Sequence, residues 1–184
     1  MVDMENSRAG RVGMEVGAHR EKVIIALLIY KFGEEHVEVD IPANEHEVDV
    51  KLFGEPVSIK TITAKNVGPF KLIWTVDAQK AINFMETYTP ASDILFVHVN
   101  WGSKGGFYYI PLEAQRDVFE SIGREGYIKL PKAGTNPRGV EISKKAVELL
   151  LTHEQVRAID IEWRREQVRY DPYARWVEYW KENL

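Results

Sequence analysis

The chain has 184 residues, of which 45% are hydrophobic and 28% charged, enough for one soluble domain with a sizeable core. It has no cysteine, which excludes disulfides, thiol catalysis and cysteine-based zinc ribbons. The formal net charge of −4 argues against a protein that coats nucleic acid non-specifically. That charge is unevenly spread. Residues 121–184 hold 12 Lys/Arg and 10 Asp/Glu, so residues 1–120 hold 12 and 18 (24 − 12 and 28 − 10). An acidic metal site beside a local basic cleft is compatible with this split.

The longest apolar run, residues 23–30, is too short to span a bilayer, and the N-terminus lacks a secretory pattern. A cytoplasmic protein with no membrane partner is the simplest expectation. Residues 1–14 read as a polar tail or arm. Residues 15–32 follow a helical period, with Gly33 as a plausible C-cap. Glu21, Ile25, Leu28 and Phe32 are spaced 4, 3 and 4, so they line one helix face and put Glu21 at the end of the packing stripe. A short strand follows at 37–41 and a turn at 42–44. Residues 48–53 and 57–63 read as a hairpin turning at Gly54, Glu55 and Pro56. A helix is predicted over 71–88, most clearly from Asp77, and Pro90 ends it. Residues 93–101 form an apolar, β-branched run typical of a central strand. Gly102 to Gly106 turn into a strand at 107–110. A helix at 112–122, a short strand at 127–130 and a loop at 131–139 come next. Helices are predicted at 143–151, 153–170 and 173–182. Helix, three strands, helix, two strands and then helices predict an α/β sandwich on a mixed sheet.

Chemistry concentrates in the hairpin. Alternate strand residues share a face, so Glu47, Asp49 and Lys51 point opposite to Val48, Val50 and Leu52. Ser58 and Lys60 share a face of the neighbouring strand, which lets Asp49 and Lys60 converge. Phosphodiester cleavage needs a hard cation to neutralise charge and acidify the attacking water. Carboxylate oxygens suit Mg²⁺, and a nearby lysine can orient that water or stabilise developing charge. A bland surface hairpin with a solvated Asp and Lys is the competing reading.

These residues resemble the PD-(D/E)xK nuclease superfamily, which includes type II restriction endonucleases and Holliday-junction resolvases. The resemblance covers roughly residues 15–101 and rests on Glu21, Asp49 and Ser58-Ile59-Lys60. The superfamily's usual second carboxylate falls where this chain has Ser58; some restriction enzymes resemble it in carrying Ser-x-Lys. The resemblance implies a restriction-endonuclease-like mixed central sheet flanked by helices, with a mainly helical C-terminal part. It implies catalytic Asp49, Ser58, Lys60 and Glu21, with Mg²⁺ held by Asp49, the Ile59 carbonyl and one further acid, Glu21 above all. Glu47, Asp77 and Glu86 are the other acids in reach.

The expected organisation is a single domain, 1–184, with a nuclease core at 15–112 and a helical extension at 113–184. Within that extension residues 126–140 contain three basic residues and no acid, and two prolines that would shape a loop. Lys129 and Lys132 suit phosphates, while Asn136 and Arg138 suit base edges. A DNA-reading loop is expected here, with a plain polar connection as the alternative. The aromatics from Trp163 to Trp180 are expected mainly in the core, with a dimer interface as second choice. His19, His36, His46, His98 and His153 show no ligand spacing, and His98 reads as a satisfied core residue.

The expected function is therefore a Mg²⁺-dependent, sequence-specific endonuclease of double-stranded DNA, of restriction type, working as a homodimer. A junction resolvase or other structure-selective nuclease is the first alternative. A non-catalytic DNA-binding module is the second, favoured by Ser58.

Overall fold

A computed structural model of the chain describes residues 14–42, 47–131, 139–164 and 173–183. The elements are α1 (Met14–Phe32), β1 (Val37–Glu38), β2 (Val50–Leu52), β3 (Glu55–Thr63), β4 (Lys71–Ile73), α2 (Ala78–Thr87), β5 (Asp93–Val99), β6 (Lys104–Ile110), α3 (Leu112–Tyr127), β7 (Ile128–Lys129), β8 (Val140–Ile142), α4 (Lys144–Leu151), β9 (Arg157–Glu162) and α5 (Ala174–Asn183). Six strands form the main sheet in the order β1-β2-β3-β5-β6-β9, and β4-β8-β7 form a second small sheet. Only β3 and β5 run parallel; every other pair is antiparallel. The expected mixed central sheet flanked by helices is thus observed. No helix among the described residues is long and apolar enough to cross a membrane.

Each face of the main sheet carries its own core. Val50, Val57, Ile59, Val97 and Val99 pack under Ile24 of α1 on one face. Ile94, Phe96 and Ile110 pack on the other with Val118, Tyr127, Val147 and Leu150. Period-two alternation along β3 and β5 produces this split, with Val57 and Ile59 facing α1 and Ser58 and Lys60 facing away. Each buried valine or isoleucine contributes roughly 1.5–3 kcal/mol over exposure, so the alternation fixes the register strongly.

The hairpin turn opens one residue earlier than predicted, and its second strand starts two residues earlier, at Glu55. Leu52 pairs with Glu55, leaving Phe53 and Gly54 as the loop, with φ of 53° and 85°. Positive φ at both positions is the primed turn whose twist matches paired strands. Phe53 is held there by ring contacts to Phe32 at 5.5 Å and His36 at 4.7 Å. Pro56 therefore lies inside β3, opposite Lys51.

Several elements differ from the sequence expectation. Residues 71–73 are strand β4, not the start of a helix. Here pairing with β8 overrides helical spacing, and Asp77 starts α2 by accepting from the Gln79 and Lys80 N–H groups. The region expected as a helix from 153 contains strand β9, in which Ile159 and Ile161 alternate with Ala158 and Asp160. The first strand is confined to Val37–Glu38. The short strand expected at 127–130 narrows to β7, because α3 runs to Tyr127 across a break at Gly123, φ 69°. On α1, Phe32 is 36% exposed and Ile24 takes the centre of the packing stripe. The C-terminal aromatics are mostly not core: Tyr173, Trp176, Tyr179 and Trp180 are all more than half exposed. Trp163 is the exception. Its ring packs on Trp101 and Phe107, and its indole N–H donates to the His98 carbonyl at 2.8 Å.

Candidate active site

β2 and β3 bring Asp49 over Ser58 because Val50 pairs with Val57 and the Asp49 N–H donates to the Val57 carbonyl at 3.0 Å. One carboxylate oxygen, Asp49 Oδ2, then accepts twice. The Ile59 N–H donates to it at 2.6 Å and the Ser58 hydroxyl at 3.1 Å. Hydrogen bonds to an ionised acceptor are short and strong, so they fix the carboxylate's direction. Ser58 itself is buried, at 2% exposure, and its hydroxyl is satisfied by this bond. Ser58 thus serves as a buried donor to Asp49.

Lys60 follows two residues on and shares the Ser58 face. Glu21 comes from α1. Its carboxyl is pushed up, first by burial and then by the negative charge of Asp49, while Lys60 and Lys22 partly offset both. The structure therefore brings Glu21, Asp49 and Lys60 into one electrostatic neighbourhood. Two carboxylates in one neighbourhood offer oxygen donors of the kind that suit a hard cation. No group of three or more Asp, Glu, His or Cys able to hold a metal is present among the described residues. A pair of carboxylates completed by a main-chain carbonyl and water fits that observation, since Mg²⁺ keeps several waters.

Beside Lys60 opens a cleft lined by Glu47, Ser58, Lys60, Tyr88, Ser92 and Gln115, among others. Glu47 is raised by burial and partly relieved by Lys60. The Gln115 amide donates to the Ser92 and Ile110 carbonyls at 2.8 and 3.2 Å, which pins the far wall. Tyr88, Ser92 and Gln115 carried no sequence signal beyond ordinary helix and loop composition. Asp77 is committed to its helix cap, and Glu86 stands exposed on α2; neither lines the cleft.

The expected DNA-reading segment is described only in part. Lys129 is exposed on β7 and pairs with Glu141 of β8 at 3.4 Å. Lys132, Asn136 and Arg138 lie outside the described residues. His98 is a core residue, 3% exposed, with Nε2 at 2.8 Å from the Ala64 carbonyl oxygen.

The family model "Restriction endonuclease ThaI" matches residues 1–182. A solved structure described as a restriction endonuclease in complex with substrate DNA is 57% identical, with a TM-score of 0.85. That match covers 95% of this chain and 84% of the other. No curated protein matches the chain. With nearly its whole length matched, the chain belongs to the ThaI restriction endonuclease family.

Proposed function

We propose that the chain is a Mg²⁺-dependent, sequence-specific endonuclease of double-stranded DNA, a cytoplasmic restriction enzyme of PD-(D/E)xK type with a Ser-x-Lys motif. The observation that carries this is the doubly held Asp49 carboxylate with Glu21 and Lys60 beside it. The 57% identical relative, described in complex with substrate DNA, supports the same substrate class.

In this reading Asp49, Glu21 and the Ile59 carbonyl would hold Mg²⁺, which when bound neutralises phosphate charge and acidifies the attacking water. Asp49 is held in place by Ser58 and Ile59, so it need not reorganise on binding. Lys60 orients the water or stabilises charge on the phosphate oxygens. Glu21 supplies the second acid that Ser58 does not. Residues 126–140, through Lys129, Lys132, Asn136 and Arg138, are the proposed DNA-reading loop in the 113–184 extension. Two copies of one site suit the two strands of a palindrome, so the working form is a homodimer.

The test is digestion of plasmid DNA with Mg²⁺. Discrete, reproducible fragments are expected. Cleavage of a four-way junction with linear duplex spared would instead assign a structure-selective nuclease, and DNA binding without any cleavage a non-catalytic module.

A further inference from the structure

We propose that Glu47 is a positioning residue for Lys60, biasing the direction of its ammonium across the cleft that both line. This rests on the nuclease reading of Asp49 and Lys60.

The backbone of Lys60 is fixed by β3, which pairs it with Phe96 of β5. Its ammonium is not fixed by that pairing, because the four-carbon stem is flexible and rich in rotamers. Some feature must narrow its range. Ser58 cannot, since its hydroxyl is engaged with Asp49. Glu47 stands just ahead of Asp49, lines the cleft with Lys60, and is half-buried near Tyr88, Ala91 and Ile94. A carboxylate against such walls needs a cation or donors, and among the described residues Lys60 is the one cation lining this cleft.

Glu47 and Lys60 do not close an ion pair within 4.0 Å. That separation matters to the chemistry. A closed pair would engage the ammonium's hydrogens, whereas attraction across the cleft biases its direction and leaves them for water and phosphate. Glu47 thus acts through Lys60 and not on the phosphate.

The experiment compares wild type, Glu47→Gln, Glu47→Asp, Lys60→Ala and the exposed control Glu86→Gln in single-turnover DNA cleavage. DNA affinity, the Mg²⁺ midpoint and thermal melting are read alongside. Glu47→Gln is expected to slow the cleavage step about 10-fold, part of the 10²–10⁴ that a positioned proton-transfer group supplies. DNA affinity and the Mg²⁺ midpoint should be unchanged, and Glu47→Asp should recover part of the rate, which a packing defect would not. Wild-type cleavage by Glu47→Gln would overturn the proposal. So would a loss that added Mg²⁺ restores, since Glu47 would then be a metal ligand. An inactive wild type or a fully active Lys60→Ala would instead overturn the nuclease reading beneath it.

Discussion

Replacing Ser58 by alanine separates the two bonds that hold Asp49. The hydroxyl bond at 3.1 Å is lost, and the shorter main-chain bond from Ile59 at 2.6 Å remains. The variant removes a buried donor together with its need for a partner, so no orphaned group is left behind. A hydrogen bond to a charged group contributes about 1.5–3 kcal/mol net, and with the carboxylate keeping one partner the stability loss should fall near or below that lower bound. For a chain of this size that is a fall of about 2–6 °C in Tm. For activity, the carboxylate keeps its charge and loses part of its aim. We expect a roughly 10-fold slower single-turnover cleavage, equivalent to about 1.4 kcal/mol in the barrier. Asp49→Ala, which removes the charge itself, should lose at least about 10³-fold. The assay is single-turnover cleavage of a short duplex carrying the site, with Mg²⁺ saturating, read beside a thermal melt. A Ser58→Ala loss as deep as Asp49→Ala would show the hydroxyl taking part directly. No loss at all would show that the Ser58 bond does not aim the carboxylate. Either result refutes the positional role given to Ser58.

Two further outcomes follow from the same coordinates. Burial and the charge of Asp49 raise the Glu21 carboxyl above its ordinary 4.5, so the metal-free fold is penalised for ionising it. Stability linked to Glu21 is full below the unfolded value and is lost as pH rises through the raised folded value. Glu21→Gln should therefore modestly stabilise the metal-free protein near neutral pH, solvent screening keeping the gain small. The gain should vanish well below pH 4.5, and cleavage should be lost; melts at both pH values check this, and a destabilised variant at neutral pH would contradict it. At Gly105 an added Cβ would meet the His98 carbonyl and the Trp163 indole. Gly105→Ala should cost about 1–3 kcal/mol by overpacking, and an unchanged denaturant midpoint would show that β6 can shift freely.

Much of the central layer was legible because one rule governed it. Val57, Ile59, Val97 and Val99 alternate with Ser58, Lys60, Phe96 and His98, and that period places the site on one face. Helices were expected from Asp77 and from Ser143, and the side chains of these two residues cap α2 and α4. Short strands were less legible. β4, β7 and β8 hold two or three residues each, too few for a period to show, and they exist through pairing with one another. β9 was hidden by charged residues that read as a helical face but stand on an exposed sheet edge. At the site, strand spacing brought Asp49 and Lys60 together, and the resemblance added Ser58 and Glu21. The partnership of Glu21 with them depends on how α1 packs, and the Tyr88, Ser92 and Gln115 wall depends on α2 and α3 meeting the sheet; neither is written in local sequence.

The most direct test is cleavage of one plasmid, under Mg²⁺, by wild type, Asp49→Ala and Lys60→Ala, with folding checked by thermal melt. Wild type should give discrete fragments, and both folded variants should leave the plasmid intact. Fragments from either variant at the wild-type rate would show that the hydrolytic centre lies elsewhere in the chain.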